Sequence, residues 1–344
     1  MIGIYAEGNE IIGIGHVMRC LTIADALVSC GQKVTFYSNS CQALLESRGY
    51  MPVKVPEGFS GTHAEIFFWQ QEVSTSGLSL LLLDGYKVTR EYLETLRFVV
   101  KTAYIDDMCM FPYPVDLLIN YNIFADKKDY ADIPEQTELS LGTAYAPVRK
   151  EFSEHRTKRI VTGRPEILIS VGGTDSMGLS PRIVKVIKEC QKDSCLHVLC
   201  GPFSRQKQAL VSLKEQYGGV EIYENVTAVW DVMRKCNMAV SAAGTTMYEL
   251  ATMGLPVLTF YFVENQRRIA EGFAREGAAI LLGAYEEANP EQFEKNLKKE
   301  IERLVCDELL RENISRRAKE CVDGMGAARI AETLVKLDTR KRGV

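Results

Sequence analysis

Short apolar runs alternate with longer amphipathic stretches along nearly the whole chain, a pattern that predicts parallel strands joined by crossover helices. In the first half the strand-like runs are IGIYA (2–6), VTFYS (34–38), MPVKV (51–55), LSLLLLD (78–84), TAYIDD (102–107) and VDLLIN (115–120). Between them, HVMRCLTIADALVSCG closes on Gly31, and TREYLETLRFVV opens on Thr89. A glycine just past a helix end and a threonine at a helix start are the expected stop and start signals. The stretch KEFSEHRTKRIVTGRP breaks this rhythm, being charged, weakly apolar and closed by Gly-Arg-Pro. It predicts a linker over 151–165, between domains over 1–150 and 166–344. The alternation then restarts with EILISVGG, LHVLCG, VEIYEN, MAVSAAG, LPVLTFYF and AAILLG as strands, separated by helical segments and closed by two or more helices, GAARIAETLVKL among them.

At 344 residues the chain is too long for one ordinary core. Two successive βα halves of similar size therefore predict an α/β protein of two Rossmann-like, doubly wound domains facing a central cleft. Ligands of open α/β sheets sit outside the carboxyl ends of the strands, so the chemistry is sought just after each strand.

The net charge of −4 gives no support for a nucleic-acid or membrane-surface partner, and the basic tail RKRG is too short to change that. The longest apolar run, LSLLLLDGY, is far too short to span a bilayer, and the N-terminus opens directly into a strand-like run, without the pattern of a signal peptide. Ten cysteines form no CxxC pair and no Cys/His cluster of zinc spacing, so neither a metal nor another cofactor is expected. Most of them fall in apolar periodic segments, where cysteine acts as a small buried hydrophobe, and a reducing, cytoplasmic compartment follows.

Four strand-end segments carry candidate chemistry. In the first, Gly13-Ile14-Gly15-His16, the glycines either let the backbone approach a ligand and free helix N-terminal amides for an anion, or merely shape a tight turn. His16 sharpens the choice. A helix dipole disfavours imidazolium at an N-terminus, and a neutral imidazole at a cleft edge is a general base for water or a hydroxyl. The alternative is a histidine satisfied by a backbone carbonyl.

The second segment, Gly172-Gly173-Thr174-Asp175, offers amides and a hydroxyl to a phosphate, yet matches neither a P-loop nor a full dinucleotide fingerprint. The third, Ser241-Ala242-Ala243-Gly244-Thr245-Thr246, runs into Glu249. Its small residues open a helix start to a diphosphate, and Glu249 could accept from ribose hydroxyls. The same Thr246-x-x-Glu249 spacing is also that of a capping box. The fourth, Glu264-Asn265-Gln266, suits either hydrogen bonding to a ligand or N-capping by Asn265. Asp84-Gly85-Tyr86, Asp106-Asp107 and Asn120-Tyr121-Asn122 also follow strands. The paired aspartates point apart on a strand, so capping is the expected role of one of them. His63, His155 and His197 are read as surface or packing residues.

Taken in order, GIGHVMRCLTIADAL, LLLLDGY, YIDD, LLIN, GTAYAPVRKEF, ISVGGTD, SAAGTTMYELATMGLP and ENQ resemble the UDP-sugar hydrolases of pseudaminic acid synthesis and their relatives of spore-coat polysaccharide synthesis. These resemble in turn the GT-B peptidoglycan N-acetylglucosaminyltransferase. The resemblance spans nearly the whole chain. It implies a GT-B fold and hydrolysis of UDP-2,4-diacetamido-2,4,6-trideoxy-β-L-altropyranose to UDP and the free sugar, by water attack at the anomeric carbon with inversion and without a metal. His16 matches the family's catalytic histidine and Tyr86 a tyrosine of the sugar pocket. Gly172, Gly173, Thr174, Gly244, Thr245, Glu249, Asn265 and Gln266 fall on the UDP-binding half, with Asp175 and Thr246 in the same loops and Gly13 and Gly15 beside the histidine.

One stretch departs from the family. Its Arg-x-Asp-x-Ser before the Gly-x-Gly-His is replaced here by Tyr5-Ala6-Glu7-Gly8-Asn9, on the sugar side. Two further readings remain beside the hydrolase: a glycosyltransferase with the same donor and a sugar or lipid acceptor, and a catalytically silent nucleotide-sugar binder.

Overall fold

The apolar runs become strands buried along most of their length, as parallel strands covered by helices on both faces require. The structure is a computed structural model and describes residues 1–8, 14–56, 63–156, 164–201 and 203–340. The chain forms two units, one of Met1–Val148 with Met325–Val344, the other of Arg149–Gly324. No helix among the described residues is long and apolar enough to cross a membrane.

The first unit contains strands β1 (Ile2–Ala6), β2 (Val34–Tyr37), β3 (Leu80–Asp84), β4 (Lys101–Ile105), β5 (Leu117–Asn120) and β6 (Glu138–Leu141), with helices α1 (Gly15–Ser29), α2 (Gln42–Ser47), α3 (His63–Thr75) and α4 (Arg90–Leu96). Its strands are parallel, in the order β2-β1-β3-β4-β5-β6. The start and stop signals act as expected. Thr89 Oγ1 accepts from the Tyr92 amide at 3.2 Å to open α4, and Gly31 follows α1 with φ of +76°. The expected strand at 51–55 reduces to a single bridge between Tyr37 and Val53, because Pro52 cannot donate to a ladder. Strand β6, short and polar at its start, was not foreseen.

The second unit begins with α5 (Lys150–Glu154) and continues through β7 (Glu166–Ser170), α6 (Leu179–Cys190), β8 (Cys195–Cys200), α7 (Lys207–Tyr217), β9 (Val220–Glu224), α8 (Val229–Lys235), β10 (Met238–Ala242), α9 (Thr246–Met253), β11 (Val257–Tyr261), α10 (Glu264–Arg275), β12 (Ile280–Ala284), α11 (Pro290–Cys306) and α12 (Glu308–Cys321). Its sheet is parallel in the order β12-β11-β10-β7-β8-β9. In each sheet the winding reverses beside the unit's first strand, between β1 and β3 and between β7 and β10. Loops leaving the carboxyl ends diverge at such a point and open a crevice for a ligand.

The boundaries differ from those expected, at both ends of the second unit. Part of the expected linker is helix α5, which packs on α9 and buries Phe152. Just beyond it, the Arg156 guanidinium donates to the Thr252, Asp323, Lys319 and Val322 carbonyls at 2.7–3.4 Å, satisfying groups that helix ends leave open. Residues 157–163 of that linker lie outside the described residues. The last helix, α13 (Gly326–Thr339), belongs to the first unit and not to 166–344 as a block. It packs on α1, burying Ile330, Leu334 and Leu337, and Lys101 Nζ donates to its final carbonyls, Leu337 and Asp338, at 2.8 Å. A side chain at Gly326 would run into the backbone of Ala146. Gly326→Val is expected to lower the stability of the first unit by about 2–3 kcal/mol, the scale of an overpacked contact, read as a shifted urea midpoint. An unchanged midpoint would overturn this account of how α13 docks.

Candidate active site

In the first unit, the two strands that flank the reversal deliver a histidine and an aspartate to one another. His16 stands in the first turn of α1, and Asp84 is the last residue of β3. His16 Nδ1 donates to Asp84 Oδ1 at 2.6 Å, which leaves Nε2 as the nitrogen able to accept a proton. Arg19, three residues on and so on the same face of α1, grips the carboxylate from its other side. Its Nε donates to Asp84 Oδ2 at 2.6 Å and its Nη2 to Oδ1 at 2.5 Å. The same guanidinium reaches Asp107 at 2.8 and 3.1 Å and the Tyr121 hydroxyl at 2.7 Å. His16, Arg19 and Asp84 are all buried.

Burial alone would push the Asp84 carboxyl upward. The paired charge and hydrogen bonds of Arg19, helped by His16, win and hold it well below the usual carboxylate range. Asp84 is thus a fixed anion beneath the imidazole, able to orient it and to stabilise it when protonated. Cys20 adds a thiol donor to Asp84 Oδ2 at 3.4 Å, and burial pushes that thiol up.

The imidazole lines a cavity of about 30 Å³, with Asp84, Tyr86, Asp107, Met108 and Met110 among the other walls. That is room for one or two waters beside the histidine. Tyr86 meets His16 edge-on, with ring centroids 4.7 Å apart. Although Tyr86 is 44% exposed, partial burial and the nearby Asp107 push its phenol up to about 12, so it stays a hydrogen-bond donor at neutral pH. Among the described residues, nothing lies within 4 Å of where a Cβ on Gly15 would stand. Gly13 lies outside the described residues, as does Asn9. Glu7, from the stretch that departs from the family, accepts from the Tyr5 hydroxyl at 2.7 Å, and its carboxyl packs against Gly85, next to Asp84 and Tyr86.

The adjacent aspartates do point apart. Asp106 accepts from the Tyr113 and Tyr130 hydroxyls at 2.7 and 2.6 Å and from the Met108 and Cys109 amides, so it shapes the loop that walls the cavity. Asp107 turns to Arg19 instead. The polar shell of this site was missed from sequence: Arg19 sits within an apolar periodic helix, and only its spacing from His16 signals it.

In the second unit, Gly172, Gly173 and Thr174 follow β7, and Gly244, Thr245 and Thr246 follow β10, the pair of strands flanking that reversal. Gly172 adopts φ of +91°, both Gly172 and Gly173 are exposed, and Gly173 approaches Gly201 so closely that a side chain at 201 would strike its backbone. Asp175 corrects the expectation for this loop. It is buried and turned onto α6, accepting from the Leu179 and Ser180 amides at 2.8 and 3.1 Å and from the Ser180 hydroxyl. Both its oxygens serve that cap, so it is not among the groups the loop presents.

The capping box is not formed either. Thr245 occupies the cap position of α9, without a side-chain cap, and Glu249 faces Arg149 with 3.6 Å between Oε1 and Nη2. Burial outweighs that arginine and raises the Glu249 carboxyl. Arg149, also missed from sequence, lies over the Phe152 and Trp230 rings at 4.9 and 5.2 Å and donates to the Thr227 carbonyl at 2.9 Å. After β11, α10 begins at Glu264, so Asn265 is an exposed second-position residue and not its cap, while Gln266 Oε1 accepts from the Phe262 amide at 3.2 Å. His16 and Tyr86 thus share one unit, and the three glycine-, threonine- and amide-bearing loops share the other.

The chain matches no family model. It is 25% identical over 98% of its length to the spore coat polysaccharide biosynthesis protein SpsG of Bacillus subtilis, which it covers to 98%. Over 74% of its length it is 24% identical to the Helicobacter pylori pseudaminic acid cytidylyltransferase and UDP-2,4-diacetamido-2,4,6-trideoxy-beta-L-altropyranose hydrolase, covering 43% of that protein. Among solved structures it is similar to the spinosyn rhamnosyltransferase SpnG, with a TM-score of 0.69, 16% identity, and 98% of this chain and 100% of that one covered. The fold is GT-B. The chain is thus similar over nearly its full length to SpsG, and over about three quarters of its length to the Helicobacter pylori protein, and it has the GT-B fold.

Proposed function

We propose that the chain is a nucleotide-sugar hydrolase of surface-polysaccharide or pseudaminic acid biosynthesis, releasing UDP and a free amino-deoxy sugar from a UDP-2,4-diacetamido-2,4,6-trideoxyhexose. The observation that carries this reading is the buried His16–Asp84–Arg19 assembly opening onto a water-sized cavity. Water in that cavity gives its proton to His16 Nε2 as its oxygen attacks the anomeric carbon. The bond from that carbon to the diphosphate oxygen breaks on the opposite face, so the configuration inverts and the electron pair leaves with UDP. Asp84 holds the imidazole in the accepting tautomer and balances the imidazolium that results. UDP is a good leaving group. The charge gathering on it needs only fixed donors, and the Gly172–Thr174 amides, the Thr245 and Thr246 hydroxyls and the start of α9 supply them without a metal in the reaction. Glu249, Asn265 and Gln266 serve the nucleotide in this reading, and Tyr86 and Glu7 the sugar. The cytoplasm is the compartment that goes with it.

A transferase reading has one observation of its own. Met108 and Met110 stand 48% and 66% exposed at the cavity wall, an apolar rim on which an acceptor could rest. One assay separates the two. Purified protein is incubated with a panel of UDP-sugars, and UDP release is followed with and without sugar acceptors. Release without any acceptor is expected; release that appears only with an acceptor would overturn hydrolysis in favour of transfer, and binding without release would leave a silent binder.

A further inference from the structure

At the other end of the second sheet, away from the loops assigned to the nucleotide, the opening residues of β7 and β8 bring three different metal-ligand types together. Glu166 is the first residue of β7 and pairs with Cys195, the first of β8. His197, two residues on, shares a face of β8 with Cys195 by the strand's alternation. A carboxylate oxygen, the Cys195 sulfur and an imidazole nitrogen lie within 4.8 Å of one another. Cys195 and His197 are buried, and Glu166 is partly exposed and so faces the route by which an ion enters.

We infer that Glu166, Cys195 and His197 form a binding site for a borderline divalent cation of the zinc class. A thiolate, an imidazole and a carboxylate are the donor set such an ion prefers, and a fourth position stays open to water. Metal–ligand bonds of about 2.0–2.3 Å place tetrahedral donors about 3.3–3.6 Å apart, so donors up to 4.8 Å apart close by about 1.5 Å at most, and the His197 Nε2–Glu166 Oε2 pair, 2.8 Å apart, opens by about 0.5–0.8 Å. The surrounding groups hold the ligands in position. Arg164 Nε occupies Glu166 Oε1 at 3.1 Å and leaves Oε2 for the ion. The Tyr223 hydroxyl, on β9, stands 3.0 Å from His197 Nδ1.

Without metal, His197 Nε2 is 2.8 Å from Glu166 Oε2, and the Cys195 thiol is held protonated by burial and by Glu166. On binding, the imidazole proton moves to Nδ1 and is donated to Tyr223, while the thiol proton is released. The balance is about one proton out per ion bound. The resulting thiolate and carboxylate neutralise the dication, leaving Arg164 and Lys188 as nearby positive charges. Sequence spacing hid the cluster because its ligands come from neighbouring strands and not from one short motif.

The test is a titration of the full chain with Co²⁺, followed by absorption. The expected result is saturation at about one ion per chain, with tetrahedral d–d bands, a thiolate-to-cobalt band in the near ultraviolet, and displacement by Zn²⁺. Cys195→Ser should abolish the thiolate band. Glu166→Gln, which keeps the shape of the partly exposed ligand, should weaken binding at least tenfold. Zn²⁺ should raise the unfolding temperature of the parent chain and not of Glu166→Gln. The double variant Cys30→Ser, Cys306→Ser removes the exposed thiols and should keep the band. Absence of a thiolate band at one equivalent, a band that follows Cys30 or Cys306, or equal binding by Glu166→Gln would overturn the site.

Discussion

His16→Ala is expected to lower the rate of UDP release by about 10²–10⁴-fold, the usual contribution of a positioned general base. The loss should fall on kcat with little change in the affinity for UDP, because the loops assigned to the nucleotide lie in the other unit. The variant should also fold. Asp84 keeps both bonds to Arg19 when the imidazole is removed, so no buried charge is left unpaired. His16→Gln keeps a polar side chain and a helix-compatible residue, and should be as slow as alanine, since an amide cannot take the proton from water. Initial rates with the best UDP-sugar of the panel, alongside UDP titration of each variant, measure both effects. A rate within tenfold of the parent chain in either variant would remove His16 from the role of base. Loss of UDP affinity in step with the rate would make it a binding residue instead.

The parts of this site that were legible in the sequence are those that local physics determines. His16 announces itself because an ionisable ring directly follows glycines at a strand-to-helix turn, and Thr89 and Gly31 because capping is a matter of a few neighbouring residues. Arg19 was not legible, since its partners Asp84, Asp107 and Tyr121 are 65, 88 and 102 residues away and only the winding of the sheet brings them together. For Asp175 and Glu249 the residue types fit two roles equally well. Asp175 went to the cap because α6 begins within reach of its carboxylate, and Glu249 stayed out of a cap because α9 begins a residue too early, with Thr245 and not Thr246 at its cap. Helix α13 shows the limit at the level of domains. Its amphipathic pattern says that one face is buried, and nothing in it says that the covering face is α1, more than 290 residues earlier. Cys195 and His197 make the same point, as an ordinary alternating strand whose third partner lies on its neighbour.

The second large effect is expected from Asp84→Asn, which keeps the shape of the side chain and changes only its charge and one of its acceptors. The asparagine amide must turn either its NH₂ toward His16 Nδ1, so that the ring moves its proton to Nε2 and can no longer accept one, or its NH₂ toward Arg19, where two donors meet. The first arrangement costs activity and the second stability, and each is large because the group is fully buried. The rate of UDP release should fall at least about a hundredfold, as for a base in the wrong tautomer, and the unfolding free energy at pH 7 by about 3 kcal/mol, the low end for a broken buried pair because Arg19 retains Asp107. The pH dependence gives a sign that a loss of packing alone would not. The folded carboxyl is held below its unfolded value of about 3.9, so its stabilisation is complete above that pH and is lost as the pH falls through the folded value. The stability gap between the parent chain and Asp84→Asn, from urea unfolding at a series of pH values, should therefore be constant from neutral pH to about pH 5 and should narrow below about pH 4. A gap that stays the same at acid pH would mean that Asp84 contributes shape and not charge. Histidine nitrogen resonances supply the remaining check: the His16 ring of the parent chain should carry its proton on Nδ1, and a ring found protonated on Nε2 there would overturn the assignment of Asp84 as the group that positions the base.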